Sequence, residues 1–95
     1  MNGTVQRIAV CGGSGSELLE AAIAHGADAF VTADVRYHTF HQAAGRIALI
    51  DAGHYETELP VVRALALRLK TELARNSCNV PVHVAKTSTN PVVFV

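Results

Sequence analysis

Ile47-Ala48-Leu49-Ile50-Asp51-Ala52-Gly53-His54-Tyr55-Glu56-Thr57-Glu58 is the stretch on which the reading of this chain turns. Its first four residues form a short apolar run of the kind that becomes a buried strand. Gly53 ends that run in a turn, and a histidine and a carboxylate follow where the next helix begins. In an open α/β sheet, ligands gather outside the carboxyl ends of the strands, and His54 and Glu58 fall there. An imidazole nitrogen and carboxylate oxygens both offer lone pairs to a divalent cation. The spacing equally suits a structural role, with Thr57 or Glu58 stabilising a helix start and His54 hydrogen-bonded in the turn.

Working outward, the same strand-turn-helix grammar repeats. Arg7-Ile8-Ala9-Val10-Cys11 reads as a strand stopped by Gly12-Gly13-Ser14-Gly15. Ser16 is a candidate N-cap for a helix carrying Leu18, Leu19, Ala22 and Ile23, and Gly26 is its stop signal. Ala29-Phe30-Val31-Thr32 is a second strand, Tyr37 to Ala44 a short helix ended by Gly45, and Ile47 to Ile50 the third strand. The longest helix is expected from about Glu58 to Arg75, with Pro60 in its first turn. Val62, Leu65, Ala66, Leu69 and Leu73 would form its buried stripe. Val80, Val82 and Val84 alternate as a fourth strand, and Val92-Val93-Phe94-Val95, after the turn at Asn90-Pro91, suggest a fifth. This alternation predicts an α/β fold of three layers. A parallel or mixed sheet would carry helices on both faces, joined by right-handed crossovers.

Length and composition narrow the function. The 95 residues suffice for one domain, read as residues 1–95. Only 17% are charged, against roughly 25% in typical globular domains, and 49% are hydrophobic. Low charge points to a sheet covered on both faces, or to surface that a partner covers. A formal net charge of zero leaves no basic footprint for nucleic acid or anionic lipid. No apolar run approaches the roughly 20 residues of a membrane helix. Met1-Asn2-Gly3-Thr4 leads closely into the first strand, so neither a signal peptide nor a preceding domain is expected. Cys11 and Cys78 fit no zinc spacing and no disulfide framework, and a cytoplasmic location is the default.

Two further strings carry chemistry. A glycine turn such as Gly12-Gly13-Ser14-Gly15, entering a helix, presents backbone N–H groups to an anion. It lacks the Lys-Ser/Thr pair of a Walker loop and the last glycine of the dinucleotide fingerprint, and also reads as a plain tight βα turn. In Thr32-Ala33-Asp34-Val35-Arg36-Tyr37-His38, a helix starting near Asp34 would align Asp34, His38 and His41 on one face as three possible ligands. With His54 they would make a self-contained mononuclear site, if the side chains converge. Alternatively Asp34 is an N-cap and the histidines are ordinary polar residues. His25 and His83 stand alone and read as structural or solvated.

Three strings occur in order and at matching spacing: Ile8-Ala9-Val10-Cys11-Gly12-Gly13-Ser14-Gly15-Ser16, Val31-Thr32-Ala33-Asp34-Val35-Arg36-Tyr37-His38 and Ile50-Asp51-Ala52-Gly53-His54-Tyr55-Glu56-Thr57-Glu58-Leu59-Pro60. Together they resemble the C-terminal half of the Nif-three-like proteins, also called GTP cyclohydrolase I type 2 homologues or dinuclear metal-centre proteins. The resemblance implies two similar α/β lobes meeting at a pair of divalent metals, and toroidal homohexamers. It implies metal ligation by His54 and Glu58, with histidines and an aspartate from an N-terminal half completing the set. Asp34 and His38 would be neighbours of that site, touching its ligands or the substrate, and Asp34 or Asp51 could orient a ligand histidine. Ala33 stands where members commonly carry glycine. The implied cofactors are divalent ions, with zinc, manganese and iron all compatible with the donors. The implied activity is hydrolysis of a small phosphorylated or nucleotide-like molecule, for which this chain alone would be insufficient. The other reading is a non-catalytic assembly or regulatory module with vestigial metal residues.

Overall fold

The computed structural model describes residues 3–95; Met1 and Asn2, half of the short lead into the first strand, lie outside the described residues. The chain forms strand β1 (Ile8–Ser14), a short 3-10 helix (Ser16–Leu18), helix α1 (Leu19–Ala24), strand β2 (Ala29–Ala33), helix α2 (Tyr37–Ala43), strand β3 (Ala48–Asp51) and helix α3 (His54–Arg75). The strands make one parallel sheet in the order β1-β2-β3. This is an α/β fold. The chain divides into two compact units, Met1–Glu58 and Leu59–Val95.

The first unit is built around β2, the strand with a neighbour on each side. Ala29, Phe30, Thr32 and Ala33 are all buried, and Phe30 is only 1% exposed. Phe30 packs in one cluster with Leu19 and Ala22 of α1, Ala27, Ala43 of α2 and Ile47, against which Ala9, Cys11 and Leu49 lie. Both crossover helices therefore contribute to a single core. On the other face Ile8, Val10 and Ile50 are exposed. Helix α1 ends as its glycine foretold. Gly26 takes a φ of 77°, while Ala27 N–H donates to Ala22 O and Gly26 N–H to Ile23 O, each at 3.0 Å. These are the two bonds that close a helix end around a left-handed residue. Ahead of the sheet, the Asp28 carboxylate accepts from the Gln6 and Arg7 amides at 2.9 Å each, pinning the entry of β1 to that of β2.

Several boundaries differ from the sequence expectation. Strand β1 does not stop at Gly12 but runs to Ser14. It does so by an irregularity: Val10 pairs with Val31 and Ser14 with Ala33, so four residues of β1 advance against two of β2. Ser16 is not an N-cap. It is the first residue of the 3-10 helix, and its hydroxyl is buried without a hydrogen-bond partner among the described residues. Helix α2 begins at Tyr37 as the sequence suggests, and not near Asp34 as the three-ligand face required, because Asp34 adopts a φ of 53° and Arg36 is extended. Helix α3 begins at His54 rather than near Glu58. The Asp51 side chain accepts from the Gly53 amide at 3.1 Å, and Thr57 N–H already donates to Gly53 O at 3.0 Å. Pro60 consequently lies inside the helix, where it has no N–H for the carbonyl four residues earlier.

The second unit holds the remainder of α3 and residues 76–95. Ser77, at a φ of 55°, ends the helix, with Cys78 N–H donating to Leu73 O at 2.8 Å. The stripe Val62, Leu65, Ala66, Leu69 and Leu73 is not buried, and no residue of α3 is. Periodicity chooses which face of a helix is apolar, but burial needs an opposing surface; within this unit Leu73 lies beside Val80, Pro81 and Val82, and Val62, Leu65 and Leu69 stay exposed. Nor do Val80–Val84 or Val92–Val95 form strands. Alternation prepares a side-chain face, but a strand exists only with a paired neighbour, and neither segment has one among the described residues. No helix of the described residues is long and apolar enough to cross a membrane.

Phe30 and Asp28 give this unit two measurable signatures. Phe30→Ala should lower stability by about 3–5 kcal/mol, read as a reduced urea midpoint. The Asp28 amide bonds hold its carboxyl below the ordinary 3.8, so its contribution is present above the unfolded-state value and lost as pH falls through the lower folded one. Asp28→Asn should flatten that acid limb of the stability curve, and an unchanged limb would contradict the assignment.

Candidate functional site

The carboxyl ends of the three strands bring Ser14, Asp34 and Asp51 beside the first turn of α3. Because α3 starts at His54, His54 and Glu58 sit one turn apart on the same helix, with His54 Nε2 3.2 Å from Glu58 Oε1. The other ring nitrogen, Nδ1, lies 2.6 Å from Asp34 Oδ2. The same Oδ2 accepts a hydrogen bond from the Ser14 hydroxyl. An ionised carboxylate only accepts, so the nitrogen beside Asp34 carries a proton. Nε2 meets the Glu58 carboxylate in the same way when the ring is protonated, and offers a lone pair there when the ring is the neutral Nδ1–H tautomer.

This arrangement shifts two titrations. The Ser14 hydrogen bond, and after it that of His54, hold the Asp34 carboxyl below 3.8, against the opposing effect of burial. The Asp34 hydrogen bond chiefly raises His54 above 6.5; burial opposes this, and the charge of Glu58 adds to it.

Glycine 13 makes the arrangement possible. Its φ is 68°, and a Cβ there would overlap the Glu58 carboxylate and come within 3.2 Å of His54 Nε2. The two donors therefore lie directly on bare backbone. The Gly13 amide donates to Thr57 Oγ1 at 2.8 Å, and the buried Thr32 hydroxyl donates to Gly13 O at 3.0 Å. In the Gly12-Gly13-Ser14-Gly15 string, the Gly13 amide and the Ser14 hydroxyl are thus engaged within the protein.

Other sequence candidates lie elsewhere. Asp51 does not orient a histidine: its two oxygens accept from the Gly53 and Val35 amides at 3.1 Å each. Asp34 is not on α2, and the expected Asp34/His38/His41 helical face does not form. His38 and His41 instead meet the Tyr37 ring edge-on, at centroid distances of 5.9 and 4.5 Å. Among the described residues no group of three His, Cys, Asp or Glu side chains comes together as a metal site. The self-contained mononuclear centre is therefore overturned. His25 is structural, with Nδ1 2.8 Å from Ala21 O. Sequence reasoning did not find the Thr57 and Thr32 contacts with Gly13. Both hydroxyls act on backbone 44 and 19 residues away, which local spacing does not encode.

The donor pair itself suits a divalent cation. Bonds of about 2.0–2.2 Å at tetrahedral or octahedral angles bring a nitrogen and an oxygen ligand to roughly 3 Å from each other. The observed 3.2 Å between Nε2 and Oε1 is compatible with that bite. Two donors are fewer than the four or more that such a cation takes.

The family model for Duf34/NIF3 (NGG1p interacting factor 3) matches residues 1–91. The chain belongs to this family. It is 42% identical over 90 residues to a GTP cyclohydrolase 1 type 2 homolog of Streptomyces coelicolor, covering 93% of this chain and 32% of that one. A protein of the same name from Clostridium acetobutylicum is 34% identical over 91 residues, covering 95% and 34%. A Staphylococcus aureus hypothetical protein of known structure superimposes with a TM-score of 0.88 at 32% identity, over 96% of this chain and 30% of its own. A Bacillus cereus protein related to NIF3 gives 0.85 at 30% identity, over 96% and 25%. The chain thus spans about a third of the length of these two curated NIF3-family relatives.

Gly13→Ala tests the crowding directly. Gly45 has a φ of 77° and open space where a methyl would stand, so Gly45→Ala isolates backbone strain of about 1–3 kcal/mol. Gly13→Ala should cost measurably more on denaturation, and equal losses would show that the Glu58 carboxylate yields freely.

Proposed function

We propose that this chain contributes one side of a divalent-metal centre in a hydrolase-like protein, with His54 Nε2 and a Glu58 carboxylate oxygen as its ligands. The observation that carries the reading is the approach of those two donors to 3.2 Å on one helical turn, with Asp34 on the far nitrogen of the imidazole. A carboxylate on the remote nitrogen is the usual partner of a metal-bound histidine, because it fixes the tautomer and ring orientation. The remaining ligands, and a second metal ion, would be held by parts of a longer protein or by another copy of the chain. Zinc, manganese and iron all accept such nitrogen and oxygen donors.

Bound divalent ions supply Lewis-acid stabilisation of negative charge that develops during hydrolysis. The residues of this chain have simpler tasks. Asp34 accepts from Nδ1 and leaves Nε2 directed at Glu58. Gly13 presents backbone without a side chain, which leaves the donor pair room to lie against the strand. Thr57 ties the first turn of α3 to β1 through the Gly13 amide. The substrate class is a small phosphorylated or nucleotide-like molecule, consistent with the cyclohydrolase names of the relatives. The protein would work as a homo-oligomer in the cytoplasm, and this chain would not be active by itself.

The exposed apolar stripe of α3 favours a second reading, a non-catalytic assembly module that keeps vestigial metal residues. Metal content separates the two. After incubation with zinc or manganese and desalting, the chain or a full-length relative should retain metal, and His54→Ala should lose it. Equal metal in both would refute the ligand assignment, and none in a full-length relative would favour the assembly module.

A further inference from the structure

Resting on that reading, we infer that Ser14 is a positioning residue for His54: its hydroxyl, bonded to Asp34 Oδ2, fixes the carboxylate that in turn sets the orientation and tautomer of the imidazole. The chain of contacts is continuous, from Ser14 Oγ to Asp34 Oδ2 to His54 Nδ1. Both hydrogen bonds converge on one oxygen, so the hydroxyl and the imidazole constrain the same carboxylate rotamer.

Three independent features of the fold serve this contact. Strand β1 loses its regular register between Val10 and Ser14, which brings Ser14 opposite Ala33 and next to Asp34. Such irregularities commonly re-aim a side chain beside a site. Asp34 holds a φ of 53°, a left-handed conformation that a residue other than glycine adopts at a cost. That backbone turns the Asp34 carboxylate toward both Ser14 and His54. The next residue is secured as well, since the Val35 amide donates to Asp51 at 3.1 Å. Without Ser14 the carboxylate, which is about half exposed, keeps a single side-chain partner and is free to rotate about χ1 and χ2.

The test uses the 95-residue chain with ¹⁵N-labelled histidine. Long-range ¹⁵N–¹H spectra are recorded where the imidazole is neutral, alongside zinc titrations. In the wild type, His54 should be almost wholly the Nδ1–H tautomer. Ser14→Ala should raise the Nε2–H fraction and weaken zinc binding about tenfold, while the amide spectrum of β2 stays unchanged. Ser14→Thr, which keeps the hydroxyl, should restore both. Asp34→Asn can offer an N–H to the ring and should drive the tautomer further toward Nε2–H. An unchanged tautomer in Ser14→Ala would overturn the inference even if His54→Ala abolishes zinc binding. A shifted tautomer in a chain that binds no zinc would uphold the positioning role and count against the metal reading alone.

Discussion

Asp34 Oδ2 accepts from Ser14 and from His54, so one oxygen joins the end of β1, the residue after β2 and the first turn of α3. The rest of the site follows from that convergence. For the carboxylate to stand there, Asp34 must leave β2 in a left-handed conformation, and β1 must slip its register to deliver Ser14. For the imidazole to meet it, α3 must begin at His54 rather than a turn later. The Asp51 side chain assists that start by accepting from the Gly53 amide. Charge then runs through the group as an alternation of carboxylate, imidazole and carboxylate.

Much of this was legible in the sequence, and the reason is local. The apolar runs at Ile8–Val10, Ala29–Val31 and Ile47–Ile50, each followed by a helical pattern, specify parallel strands with crossovers. Gly26 announced the end of α1 because a left-handed residue is needed there. His54 and Glu58 stood out because they sit beyond a strand end and are four apart. What failed was whatever depends on a neighbour distant in sequence. The Val80–Val84 alternation has the side chains of a strand and, among the described residues, no partner to pair with. The stripe on α3 has the period of a buried face, and Val62, Leu65 and Leu69 of it remain exposed. Asp51, suited by type to orient a histidine, serves two backbone amides instead.

The glycine string reads in the sequence as a turn that stops the first strand, yet in the structure β1 continues through it to Ser14. Its composition suggested backbone amides offered to an anion. In the structure the lack of a side chain at Gly13 gives room to the His54/Glu58 pair, and the irregular strand around it carries Ser14 to Asp34. Glycine here is a spacer against a side-chain pair, a requirement that composition alone does not distinguish from a phosphate cradle.

The Thr57–Gly13 contact has one more consequence, for how the sheet meets other chains. Among the described residues β1 is an edge strand, and an edge normally offers a row of free amides and carbonyls on which a foreign strand can grow. At Gly13 the amide is held by the Thr57 hydroxyl and the carbonyl by Thr32, and the next side chain is held by Asp34. The bond that ties the first turn of α3 to the strand thus also takes the Gly13 amide out of reach of an added strand.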